Sequence, residues 1–69
     1  MNPDSRRLVG KIVCWEKELT HRPAHTFVRA NQGIRLGDVG LVVSQNVAEL
    51  EILIKDQFVR FHISEVEAL

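Results

Sequence analysis

Apolar and polar positions alternate most clearly in the second half of the chain. From Ala48 to Lys55, Ala48, Leu50, Ile52 and Ile54 take one face, and Glu49, Glu51 and Lys55 take the other. This period of two predicts a strand with one buried face. Only Leu53 breaks it. From Phe58 to Ile63 the alternation resumes, with Val59, Phe61 and Ile63 opposite Phe58, Arg60 and His62. Asp56-Gln57 between the two runs predicts a hairpin that lacks the glycine a type I′ turn favours. Upstream, Leu41-Val42-Val43-Ser44 is strongly β-forming and Gln45-Asn46 predicts the turn after it. The run Leu8 to Trp15 predicts strand one, with apolar groups on both faces: Leu8, Ile12 and Cys14 against Val9, Val13 and Trp15.

The remaining stretches are punctuation. Met1 to Arg7 is polar and predicts a frayed tail, so the domain is expected over 8–69. Glu16 to Gly33 has no period and is broken by Pro23, which predicts one long loop. Within it Thr26 to Ala30 could pair as a short strand, with Phe27 pinning the loop. Gly33, Gly37 and Gly40 predict a tight turn feeding the next strand; a phosphate-cradling loop would need a helix there instead. Ser64-Glu65-Val66-Glu67 has capping-box spacing and predicts a single helical turn, then a closing segment through Val66 and Leu69.

Five short β segments, one long loop and a late helical turn predict an all-β fold, a small antiparallel barrel of about five strands. Gly37-Asp38-Val39-Gly40-Leu41-Val42-Val43, followed by an alternating strand, resembles the turn-and-strand core of SH3-like barrels, KOW domains among them. Phe61-His62-Ile63-Ser64-Glu65-Val66-Glu67 is similar to the last strand, helical turn and closing strand of that architecture. The ending His62 to Val66 also resembles small accessory proteins of photosynthetic electron-transfer complexes, those of photosystem I among them. That resemblance implies a docking role at the surface of a membrane complex and hands on no functional residue.

Size and charge then restrict the function. The chain has 69 residues, a single cysteine and 45% hydrophobic content. At this length folding buries only about 60% of the surface of the unfolded chain, leaving little core to enclose an active site. A lone Cys14 cannot form an internal disulfide, and the chain shows neither a leader with an apolar h-region nor an 18-residue apolar run. The expectation is a reducing, cytoplasmic setting, free or peripheral to a membrane complex. The net charge of zero conceals a split: residues 1–35 hold seven Lys/Arg and three acids, and residues 36–69 hold two Lys/Arg and six acids. A basic loop carrying His21, Arg22, His25, Arg29 and Arg35 would suit an acidic protein surface or a larger complex, steering encounter more than supplying affinity. The bland reading of the same charges is a solvated surface on which opposite signs intermingle. Trp15 either caps the barrel with its N–H on a loop carbonyl, or stands exposed beside the basic loop as an anchor.

Other chemistries find less support. RNA binding, natural for KOW-like barrels, needs accumulated cations and exposed aromatics, and both are scarce. Cys14, His21, His25 and His62 lack the paired spacing of a zinc site, and no metal or other cofactor is expected. Ser64 with His62 and Glu65 has the residue types of a nucleophile and base, but a cap explains Ser64 better. The expectation is a non-enzymatic accessory or docking module, with a KOW-like RNA binder and a small structural subunit as alternatives. The last of these predicts an exposed face around Leu53.

Overall fold

The computed structural model describes residues 7–19 and 23–69. The expected N-terminal tail lies outside them except for Arg7. The elements run β1 (Ile12–Trp15), α1 (Pro23–Asn31), β2 (Val39–Asn46), β3 (Glu49–Ile54), β4 (Gln57–His62), a 3₁₀ turn (Ile63–Glu65) and β5 (Val66–Ala68). The fold is all-β as expected: one five-stranded antiparallel sheet in the order β4-β3-β2-β1-β5. Consecutive hairpins join β2, β3 and β4, and β5 returns to pair with β1, Trp15 lying opposite Val66. No ladder joins β4 to β5 among the described residues, so the sheet is bent but open.

The alternating positions fall on the predicted faces. Leu50, Ile52 and Ile54 of β3 and Val59 and Phe61 of β4 are buried, with Val13, Trp15, Val42, Ile34, Ile63 and Val66 completing most of the core. Lys55 and Asp56 form the β3–β4 turn with φ of 50° and 64°, the type I′ geometry, here without glycine. The β2–β3 turn sits later than the sequence suggests, at Val47-Ala48, because Asn46 still pairs with Glu49. A register shift between Val42 and Ser44 absorbs one residue of β2 and bends the strand. Gly40 sits at this curl. A Cβ there would lie 2.5 Å from Ile52 Cγ2 and 2.7 Å from the Leu53 carbonyl oxygen, so β1–β2 and β3 approach this closely only over a glycine.

The irregular stretch holds the main departure. Residues Pro23–Asn31 are a helix, not loop or strand. Pro23 occupies its first position, where a missing N–H costs nothing and the fixed φ suits a helix. The C-terminus closes in a Schellman motif: Ile34 N–H donates to the Arg29 carbonyl (2.8 Å) and Gly33 N–H to that of Ala30 (3.0 Å), with Gly33 at φ 79°. Phe27 does not pin this segment; it is 74% exposed. Strand one is also shorter than its apolar run, because Gly10 turns the chain (φ 85°) before Ile12.

The late turn is real but is capped two residues earlier than Ser64. His62 N–H donates to Glu65 Oε1 (2.9 Å), and His62 Nδ1 accepts from the Ser64 N–H (3.1 Å). Val66 must already be extended to pair with Trp15, so the turn has to begin sooner.

Candidate functional site

Two features of the surface stand apart from an ordinary polar exterior. The first is the outer face of the sheet. Residues directly opposite each other in a ladder share a face, and the register aligns Ile12 with Leu41, Leu41 with Leu53, and Leu53 with Phe58. One apolar row therefore crosses β1, β2, β3 and β4. Phe58 is 64% exposed and Ile12 45%, Leu41 is exposed and Leu53 half-buried. Val39, exposed, and Cys14, half-buried, form a shorter row beside it. On the other side the face turns polar, with Ser44, Glu51 and Arg60 in register. Singly exposed apolar residues are ordinary, whereas a contiguous patch with a polar rim marks a contact surface.

The second feature is a groove of about 550 Å³ between α1 and β4, lined among others by His25, Val28, Phe58, Arg60 and His62. Its floor is an ion pair. Arg29 Nη1 lies 2.6 Å from Glu65 Oε2, Nη2 donates to Glu65 Oε1 (3.2 Å) and to the Arg60 carbonyl (2.8 Å). The guanidinium carbon also sits 3.9 Å from the Phe61 ring centroid and 4.9 Å from that of Trp15. Both charges are thus desolvated and answered, and no buried side-chain polar atom among the described residues lacks a partner. Arg60, in contrast, makes no ion pair among the described residues.

Of the residues expected to form a basic binding loop, the structure describes His25, Arg29 and Arg35. His21 and Arg22 lie outside the described residues. His25 is exposed on α1, and Arg35 is exposed in the turn that follows, where its N–H donates to Asp38 Oδ2 (2.8 Å). Arg29 is 3% exposed and is a core residue, not a docking cation, because Glu65 and two aromatic faces enclose it. Trp15 is likewise buried, packing edge-to-face on Phe61 at 5.3 Å and donating from Nε1 to the Lys17 carbonyl (2.9 Å). This is the capping alternative for the indole; the exposed-anchor alternative is excluded by its burial. The split of charge between the two halves is answered at its centre, Arg29 from one half pairing with Glu65 from the other.

Phe58, Leu41 and Ile12 escape a reading based on charge. Their signal is the register: Leu53 interrupts its strand's pattern because it faces outward, opposite Phe58. The titratable groups elsewhere have local roles. The Arg35 N–H and the Lys55 ammonium (3.0 Å) hold the Asp38 carboxyl below its ordinary range. Desolvation, with Glu16 and Asp38 nearby, pushes the Cys14 thiol up. Among the described residues no three His, Cys, Asp or Glu side chains gather as a metal site would require. No helix among them is long and apolar enough to cross a membrane. No protein-family model matches the chain, and neither does a curated protein or a solved structure.

Proposed function

We infer that this chain is a non-enzymatic docking module, a small subunit of a protein assembly that is held through the outer face of its sheet. The observation that carries this reading is the apolar row Ile12–Leu41–Leu53–Phe58, continuous across four strands and bordered by the polar row Ser44–Glu51–Arg60. An apolar centre with a polar rim is the anatomy of protein interfaces. The strand order, the 3₁₀ turn before β5 and the return of β5 to β1 favour an SH3-like architecture for the module. At Ser64 the hydroxyl lies 2.7 Å from His62 Nδ1, the contact a nucleophile and base would make; the same nitrogen accepts the Ser64 N–H of the turn, and both Glu65 oxygens are engaged by Arg29 and the His62 N–H, which favours a cap over a hydrolytic pair.

Affinity capture from the native cell, comparing the wild-type chain with Leu41→Glu, tests this. Proteins retained by the wild type should be lost by the variant while its thermal unfolding stays cooperative. Identical capture by the two chains would remove the reading.

A second reading keeps the acidic partner but moves it from the basic loop to the groove. Arg60 offers a cation without an ion pair among the described residues, in a groove that the apolar Val28 and Phe58 also line. A segment that sets a carboxylate beside an apolar side chain complements that arrangement. Arg60→Glu would then abolish salt-sensitive binding of such a peptide, and Leu41→Glu would leave it intact.

A further inference from the structure

We propose that the groove between α1 and β4 takes an extended segment of a partner protein, which adds to the free edge of β4 as a further strand and sets an acidic side chain beside Arg60. The proposal rests on the groove reading above and names how its occupant is held.

β4 ends the sheet, so one side of its backbone has no strand to pair with among the described residues. The two-residue turn Lys55-Asp56 makes Ile54 and Gln57 a hydrogen-bonded pair, and bonded and open pairs alternate along the ladder from there. Phe58, Arg60 and His62 therefore turn their N–H and carbonyl groups away from β3. Two side chains already use that edge: the Arg60 carbonyl accepts from Arg29 Nη2 (2.8 Å), and the His62 N–H donates to Glu65 Oε1 (2.9 Å). No such partner among the described residues meets the Phe58 N–H, the Phe58 carbonyl or the Arg60 N–H. A donor, an acceptor and a donor in a row are what an extended backbone answers.

An open edge alone is ordinary; this one has a groove along it. The lining takes in Phe58, Val59 and Arg60. Successive residues of a strand point to opposite faces, so a groove that touches three in a row follows the edge and not one face. The far wall is built from His25 and Val28 of α1 and from Gln32 just beyond it. Gln57 Nε2 donates to the Gln32 carbonyl (2.8 Å), and with the Arg29 contact this ties the wall to β4. At about 550 Å³ the groove falls within the size range of ligand sites.

Charge specifies the side chains of the occupant. Arg29 and Glu65 answer each other and Glu49 has a partner of its own, so among the charged residues that line the groove Arg60 is the one left over. Phe58 and Arg60, two positions apart, share a face of β4. The segment that fits carries an apolar residue and an acid at the same spacing.

The test uses the capped peptide acetyl-Thr-Val-Thr-Glu-Thr-Val-Thr-amide, which sets Val and Glu on one face and reads alike in either strand direction. Added up to about 5 mM to the isotope-labelled full chain, it covers the weak range expected of a short flexible segment. The amide resonances of Phe58 and Arg60 should shift, and their hydrogen exchange should slow at least about tenfold at saturation. N-methylation of the three central residues, which removes backbone donors and leaves the side chains, should weaken binding at least about tenfold. Arg60→Gln should weaken it about two- to fivefold, and Leu41→Glu, outside the groove, should not change it. Equal binding of the N-methylated peptide would overturn strand addition; if Arg60→Gln still weakens both peptides, the groove reading stands without it. No shift with either peptide would overturn both. Concentration-dependent shifts of the same two amides with no peptide present would put a second copy on the edge and overturn the proposal as well.

Discussion

Removing the guanidinium of Arg29 is the sharpest test of how this small core is held. Arg29→Met keeps an unbranched side chain of similar reach between Phe61 and Trp15, and strips Glu65 of its ion pair at 2.6 Å. The carboxylate is left buried with only the His62 N–H to answer it. Breaking a buried pair from one side costs about 3–5 kcal/mol, because the surviving charge is uncompensated. At roughly 0.05–0.15 kcal/mol per residue, a 69-residue domain has only about 3.5–10 kcal/mol in hand. The single variant should thus lose between a third and all of its stability. Trp15 fluorescence through a urea titration reads this directly, since the indole packs at the altered site. With a slope near 1 kcal/mol per molar, typical of the smallest domains, the midpoint should fall by about 3 M or the chain should be unfolded without denaturant. Adding Glu65→Gln removes the orphan charge while a side-chain oxygen still accepts from His62, and should recover at least about 2 kcal/mol. A loss under about 1 kcal/mol for Arg29→Met, or a double variant as unstable as the sum of the singles, would refute the reasoning.

Further expectations follow from local geometry. Gly40→Ala should destabilise by about 1–3 kcal/mol in the same titration, because the methyl would meet Ile52 and the Leu53 carbonyl. Val47, β-branched at φ 55° and exposed, should gain about 0.5–1 kcal/mol on replacement by glycine, seen as a higher melting temperature. The Asp38 carboxyl is depressed when folded, so its contribution is complete above the ordinary carboxylate pKa and is lost as pH falls through the lower folded value. Denaturation midpoints should drop below about pH 4, and Asp38→Asn should flatten that part of the profile. Mixed RNA should give no salt-sensitive gel shift even at low salt, since nine cations face nine acids and one of the arginines is buried against Glu65.

The β2–β3–β4 half of the fold is legible because its physics is local. Alternation assigns Leu50, Ile52, Ile54, Val59 and Phe61 to the core without knowledge of anything distant. The turn between β2 and β3 is displaced because a bulge at Val43 has no signature in alternation. Helix α1 is illegible for a physical reason. Among its described side chains the buried one is Arg29, so the segment has no apolar stripe to reveal a helical period. Its anchor is a carboxylate 36 residues further on. The same blindness misplaces Arg29: positive charge in a sequence reads as surface, and here that charge lies among aromatics in the core. The outer apolar row was half visible, in the one leucine that refuses its strand's pattern.

Glu65 also bears on how the chain reaches this state. Its carboxylate holds α1, while its carbonyl accepts the Glu16 and Lys17 N–H groups where the chain leaves β1. The next residue, Val66, supplies Trp15 with its opposite number. The β2–β3–β4 meander closes over short loops and is suited to form early, but the segment around β1 and α1 has to wait for residues 63–69 to arrive. Until then the floor that Trp15 and Phe61 share stays uncovered. A ribosome-bound chain lacking residues 63–69 would carry an orphaned arginine and an unroofed apolar trough, a state ready for a chaperone and not yet for its work.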